Sequence, residues 1–224
     1  MPGLYDLLAS PFRKATKIQR NIMRRQIATA PVDDVLEIGP GDAPLIGCLE
    51  NLDSRRKYVM DFPGALQKCR ELGYQCIEQD LSKETWRMPD ASVDMVVSSM
   101  VLEHIPDTDF VMQEMHRVLR PGGHVLINVP NQGALVYTLM LLLTLNPPMN
   151  MVSNHYYGLG NPISKNRFKK SAESGTQGYG HLRLFATRAM NDLLHVHGFR
   201  VVYNHGATWG IPLIGKFLAG LFPY

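Results

Sequence analysis

From position 34 onward, short runs rich in β-branched and aliphatic residues alternate with segments whose apolar positions recur every three or four residues. The strand candidates are "DVLEIG" ending at Gly39, "KYVMD" ending at Asp61, "QCIEQD" ending at Asp80, "VDMVVSS" ending at Ser99 and "HVLINVP" ending at Pro130. Between them the pattern predicts helices over Pro44 to Leu52, with proline tolerated in a first turn, over Gly64 to Leu72, stopped by Gly73, and over Asp107 to Leu119, stopped by "RPGG". Strands alternating with helices in this way build a parallel sheet with crossover helices. Such sheets bind ligands beyond the carboxyl ends of their strands, where the strand order reverses. Residues at those ends are the first place to look for chemistry.

The alternation lapses between Asn131 and Gly180, where the apolar run "ALVYTLMLLLTL" is followed by "NPPMN" and by a Gly, Asn and Ser-rich segment carrying "KNRFKK". That connection is too long to be structureless in a compact domain, so residues 132–180 are expected to form an inserted cap or substrate lid. Helix and strand resume with Thr187 to His197, closed by Gly198, and then "FRVVYNH". At the other end, Phe12, Ala15, Ile18, Ile22, Met23 and Ile27 make an apolar stripe, with Arg13, Lys14, Lys17, Arg20, Arg24 and Arg25 around it. Residues 1–30 therefore read as a basic amphipathic helix packed on the domain, ahead of an anionic-membrane anchor. The expected organisation is a single domain over 1–224: this helix, a cofactor-binding core at 31–131, the lid at 132–180, and a C-terminal helix, strand and apolar tail at 181–224.

With 224 residues, 45% apolar and 19% charged, the chain has the composition of a globular domain with one sizeable core. Lys and Arg exceed Asp and Glu by 23 to 20, too small a surplus to argue for DNA binding. Cys48, Cys69 and Cys76 are odd in number and lack metal-ligand spacing, so no metal is expected and a reducing cytoplasm fits. The longest apolar run falls short of the roughly 20 residues of a spanning helix, which leaves peripheral contact as the alternative to a freely cytoplasmic protein.

After the first strand comes "EIGPGD", with Glu37, Gly39 and Gly41. Glycines at this spacing turn a strand sharply and bring backbone N–H groups close to a ligand. A dinucleotide fingerprint would place a third glycine at position 44, where Pro44 stands. Asp61 ends the second strand and is suited to accept both hydroxyls of a ribose; Asp80 ends the third and, with Leu81, is suited to meet an adenine edge. Glu37 would repel a pyrophosphate but tolerate a zwitterionic or cationic amino-acid tail. An adenosine joined to such a tail is S-adenosylmethionine.

In this order the segments resemble the class I S-adenosylmethionine-dependent methyltransferases, especially the group acting on small molecules, quinones, and lipids or glycans. The resemblance runs from about Val35 to Asn131 and resumes over Gly180 to Asn204, through "VLEIGPGD", "EQDLS", "DMVVSSMVLEHIPD", "MHRVLRPGGHVLINVPN" and "GHLRLFATRAMNDLLHVHGFRVV". It implies a Rossmann-like, doubly wound, mostly parallel α/β sheet, with a cap after the fifth strand. It also implies cofactor contacts at Gly39 and Gly41, Glu37 at the methionine end, Asp61 on the ribose, Phe62 flanking the adenine, Asp80 and Leu81 around it, and Ser98 or Ser99 near the sulfonium and amine. Two features depart from the family pattern. "DAP" replaces the third small residue of the loop, with Asp42 placed to cap the helix opened by Ala43 and Pro44. After His205, "GATWGIPLIGKFLAGLFPY" lacks the alternation of a seventh strand. Either the sixth strand pairs directly with the fifth, or another chain or segment fills the gap; an unpaired edge invites a homodimer.

The expected activity is in-line transfer of a methyl group to a small-molecule or lipid- or glycan-linked acceptor, giving S-adenosylhomocysteine. A base is needed only for an acceptor protonated at neutral pH, and histidine suits that role. His104, in "LEHIP", His155, in "NHYYG", and His181, opening "HLRLF", are the candidates. His195 and His197, two apart on a helix, do not face each other and make no metal site. The alternatives are a non-catalytic S-adenosylmethionine-binding scaffold and, behind it, an RNA methyltransferase suggested by "KNRFKK" without a separate RNA-binding module.

Overall fold

The computed structural model describes residues 32–41, 44–48, 56–147, 149–153, 155–162, 167, 168, 170 and 180–205, together with Asn21, Ile22 and Arg25, which are helical. The rest of the basic N-terminal segment, the proposed cap residue Asp42, and the tail after His205 lie outside the described residues. Two compact units are formed. One comprises Arg20–Val129 and Asp192–Arg200; the other comprises Met1–Gln19, Pro130–Asn191 and Val201–Tyr224.

The first unit holds a five-stranded sheet of β1 (Asp34–Ile38), β2 (Arg56–Asp61), β3 (Gln75–Glu78), β4 (Val93–Ser99) and β5 (Leu119–Asn128). Its order is β3-β2-β1-β4-β5 and every neighbouring pair is parallel. The chain steps outward from β1 to β3, then returns to the other flank of β1 at β4. The order therefore reverses between β1 and β4, and the crevice expected of such a sheet opens beyond Ile38 and Ser99. All five residues of β1 are buried, as in a central parallel strand covered on both faces. Val32, Val35, Val59, Met95 and Val97 pack with Ile46, Leu66 and Cys69 into the core on one face.

Helices α1 (Gln67–Glu71) and α2 (Thr108–Val118) lie within the spans that the pattern predicts. Asp107 caps α2 by accepting the Phe110 N–H at 2.9 Å, and Val111, Met112, Met115 and Val118 bury one stripe of it. Where a helix from Pro44 was expected, the described residues form only a 3-10 turn, Leu45–Cys48; residues 49–55 are outside the description. At the amino edge of the sheet, Arg120 bonds Asp94 at 2.7 Å and Asp34 at 2.8 Å, tying the starts of β4 and β1 at the end of the sheet away from the crevice.

The second unit contains α3 (Leu135–Leu142) and isolated bridges between Asn131 and Phe185 and between Tyr156 and Lys170. Helix α4 (Thr187–Val196) follows the sequence reading to within one residue at its end. "FRVVYNH" does not. Residues 199–205 form no strand, and Val202 and Tyr203 are 70% and 50% exposed. β-rich composition makes a strand only where a neighbour accepts the ladder, and no described residue pairs with this segment. No described helix is long and apolar enough to cross a membrane.

Candidate cofactor site

The turn after β1 is shaped by two glycines in the left-handed region, Gly39 at φ +62° and Gly41 at φ +55°. At Gly39 a side chain is excluded twice over: a Cβ there would sit 2.5 Å from Val101 Cγ2, in the segment that follows β4. The Gly39 N–H donates to the Met60 carbonyl at 2.8 Å. Asp61, one residue further on, accepts the Gly41 N–H at Oδ2, 3.2 Å, and the Phe62 N–H at Oδ1, 2.8 Å. Each oxygen then retains a lone pair for a further donor. Ser98 pairs in register with Ile38, and its buried Oγ has no hydrogen-bond partner among the described residues. The strand registers and the turn thus bring Gly39, Gly41, Asp61, Phe62 and Ser98 to one carboxyl edge.

Glu37 lies beneath that edge. It is 2% exposed, and its two carboxylate oxygens accept the Leu45 and Ile46 N–H groups, each at 2.9 Å. Burial raises its pKa to about 7, against the lowering effect of these two bonds. The side chain thereby caps the 3-10 turn, and its effect on a bound amino-acid tail would act through the loop it holds. Ser99 Oγ accepts from Asn128 Nδ2 at 3.1 Å, so this serine is tied to β5. Met100 follows in the left-handed region at φ +58°, its N–H donating to the Asn128 carbonyl at 2.8 Å. A non-glycine residue in that conformation marks strain at the reversal point of the sheet.

Strand β3 ends at Glu78, so Asp80, where the pattern predicts the strand to end, stands in the following loop, two residues beyond the observed end. The Gln79 N–H bonds the Asp61 carbonyl at 2.9 Å, which brings this loop beside the end of β2. Asp80 Oδ1 accepts from the Ser82 N–H at 3.0 Å and hydroxyl at 2.9 Å, while Oδ2 meets Lys83 Nζ at 2.8 Å. Burial pulls its pKa upward, but these partners prevail and hold it below the usual carboxylate range. Leu81 is buried, and its carbonyl accepts the Trp86 indole N–H at 3.0 Å.

Gln79 and Glu103 had no place in the sequence reading. The buried Gln79 amide donates to the Glu84 and Thr85 carbonyls at 2.9 and 2.7 Å, and its oxygen accepts the Arg87 N–H at 2.9 Å. It therefore holds the loop from inside. Its signal in "EQDLS" is only a polar residue at a strand end, which resembles any turn. Glu103, in the 3-10 turn Leu102–His104, is fully buried, and neither carboxylate oxygen has a hydrogen-bond partner among the described residues. Burial raises its pKa to about 7. A ring nitrogen of His104 lies within 4.8 Å of that carboxylate.

The other two candidate histidines belong to the second unit. His155 is exposed, with its N–H on Ser153 Oγ at 3.1 Å. His181 Nδ1 lies 2.8 Å from the Met149 carbonyl and, because a carbonyl only accepts, donates to it.

A model of the methyltransferase domain family matches residues 12–204. The chain belongs to this family. Among curated relatives, the methyltransferase domain is 33% identical over 103 residues to a probable S-adenosylmethionine-dependent methyltransferase of Mycobacterium tuberculosis, covering 44% of this chain and 36% of that protein. It is 23% identical over 139 residues to a malonyl-[acyl-carrier protein] O-methyltransferase of Marinomonas, covering 58% and 52%. The chain thus matches about a third to a half of the length of these two relatives. Its fold is similar to that of the 1,6-didemethyltoxoflavin-N1-methyltransferase of Burkholderia thailandensis, solved with bound 1,6-didemethyltoxoflavin and S-adenosylhomocysteine, with a TM-score of 0.55, 17% identity, and coverage of 87% of this chain and 71% of that one. The doubly wound parallel sheet expected from the sequence is the fold observed.

The methyltransferase domain also fits the donor on its own geometry. Asp61 is pre-oriented by two N–H groups yet has acceptor capacity left, and Ser98 Oγ is buried without a partner at the adjoining strand end. Both features suit a ligand rich in hydroxyls and nitrogen.

Proposed function

We propose that this methyltransferase domain binds S-adenosylmethionine across the carboxyl ends of β1, β2 and β4 and transfers its methyl group to a nucleophilic atom of a small-molecule acceptor. Asp61 holds the ribose, Gly39 and Gly41 allow the ligand a close approach to the backbone, and the Gln79-braced loop with Leu81 and Phe62 frames the adenine. Ser98 takes the amino-acid end. Bound there, the donor supplies an already activated sulfonium methyl, so the protein's work is alignment and exclusion of water, together worth up to about 7–11 kcal/mol in favourable cases.

For a hydroxyl acceptor, His104 takes the proton as the new bond forms, and the Glu103 carboxylate beside it balances the imidazolium. His155 and His181 stay secondary candidates, and residues 132–180 are assigned to acceptor selection. Of the acceptor classes, a free small molecule comes first and a lipid-linked one second. The observation that carries the reading is the hydrogen bond joining the acid at the end of β2 to the glycine turn after β1, at the point where the sheet reverses.

A thermal-shift comparison tests it. S-adenosylmethionine and S-adenosylhomocysteine should each raise Tm by mass action while NAD does not. Stabilisation by NAD alone would overturn the cofactor assignment. Binding of labelled donor without transfer to any fraction of an acceptor extract would overturn the catalytic one.

A further inference from the structure

Helix α3 is apolar on two faces. Tyr137 and Met140 are buried at 8% exposure each, whereas Leu135, Leu139, Leu142 and Leu143 are 40%, 45%, 74% and 69% exposed. Leu135, Leu139 and Leu142, spaced four and three apart, lie on a single stripe along the helix, and Leu143 follows directly past its end. Scattered exposed leucines are ordinary, but a continuous stripe marks a contact surface.

Charge in this part of the chain is one-sided. Between Glu114 and Glu173 there is no Asp or Glu, while Lys165, Arg167, Lys169 and Lys170 follow the helix. The cations come with aromatic rings: the Arg167 guanidinium lies 4.7 Å from the centroid of Phe168, which is 61% exposed, and Tyr156 bridges to Lys170. Helix and cationic turn belong to one hydrogen-bonded piece. Asn146 donates from its backbone to Gly160 at 2.8 Å and from its side chain to Leu159 at 2.9 Å, and the Phe168 N–H reaches the Tyr157 carbonyl at 3.0 Å.

We propose that α3, with Tyr156, Arg167, Phe168 and Lys170, forms a docking surface for an anionic lipid bilayer, with the helix lying in the interfacial plane. An apolar stripe accompanied by cations and amphipathic aromatics is the combination that such an interface selects. At about 1.5 Å per residue, eight residues span far less than the roughly 30 Å of a hydrocarbon core, so the helix lies on the bilayer and does not cross it. A second copy of the chain is disfavoured as occupant, because it would bring two acid-free, cationic segments together. This inference goes beyond methyl transfer and stands or falls separately from it.

The test is flotation of the full chain with phosphatidylcholine vesicles, and with vesicles containing a quarter phosphatidylglycerol, at low and high salt. Binding is expected to the anionic vesicles only, weakened by salt, and reduced at least tenfold in Leu139→Gln/Leu142→Gln and in Arg167→Gln/Lys170→Gln. Both variants should keep the wild-type Tm and the wild-type thermal shift with S-adenosylmethionine. Absence of binding to anionic vesicles, equal binding by wild type and the leucine variant, or a sedimenting dimer that the leucine variant dissolves would overturn the proposal.

Discussion

The Asp61 carboxylate is hydrogen-bonded to the Gly41 N–H at 3.2 Å, so the acid that ends β2 also sets the shape of the turn that follows β1. A ligand gripped by one is positioned by the other. Replacement of Asp61 by Ala is expected to weaken S-adenosylmethionine binding by ~1.5–3 kcal/mol, the range for hydrogen bonds to a charged group. Asp61→Asn, which keeps one acceptor oxygen, should lose less. Isothermal titration calorimetry on the folded variants checks both, and unchanged affinity in Asp61→Ala would remove the ribose role.

Gly39→Ala should destabilise the fold by ~1–3 kcal/mol for two separable reasons, the left-handed backbone and the 2.5 Å approach to Val101. Adding Val101→Ala should recover the contact component and leave the backbone component, so that urea midpoints of the single and double variants divide the effect. Equal stability of Gly39→Ala and wild type would mean that the turn relaxes freely.

Removing the Gln79 side chain leaves the Glu84 and Thr85 carbonyls and the Arg87 N–H without their partner. The expected cost in Gln79→Ala is ~1–3 kcal/mol of stability, with weakened donor binding. Gln79→Glu should be worse, since it turns two donors into an acceptor facing two carbonyls. Equilibrium unfolding of the two variants ranks them.

Glu103 gives a pH dependence of defined sign. Its folded pKa is raised to about 7 by burial, from an ordinary value of 4.5. Between those values the folded protein binds more protons than the unfolded chain, so stability falls as pH rises through that window and levels off above it. Glu37, raised to about 7 by burial that outweighs its two N–H bonds, adds a contribution of the same sign. Glu103→Gln should therefore match wild type near pH 5 and exceed it at pH 8 by up to about 3 kcal/mol, flattening the profile in denaturant titrations. A steeper profile in that variant would contradict the assignment.

The parallel sheet was legible in the sequence because burial on both faces favours Val, Ile and Leu, as at Val35, Leu36 and Ile38 of β1, and because α2 carries a 3.6-residue stripe behind an Asp cap. The glycines and Asp61 were legible because turn geometry and hydrogen bonding restrict those positions to few residue types. Three features were not. The segment at 199–205 has strand composition but no ladder partner among the described residues, and composition carries no information about a neighbour. Asp80 fell beyond its strand because pairing with β2 stops at Glu78. Gln79 and Glu103 owe their standing to burial, which a local pattern does not record for a single polar residue.

The internal bracing of residues 79–87 has a thermodynamic corollary. A loop whose shape is already fixed by its own glutamine loses little conformational freedom when a nucleoside arrives, so association at the purine end should proceed with a small entropic penalty and little local rearrangement. Amide exchange along that loop should accordingly be slow before ligand is added and change little afterward.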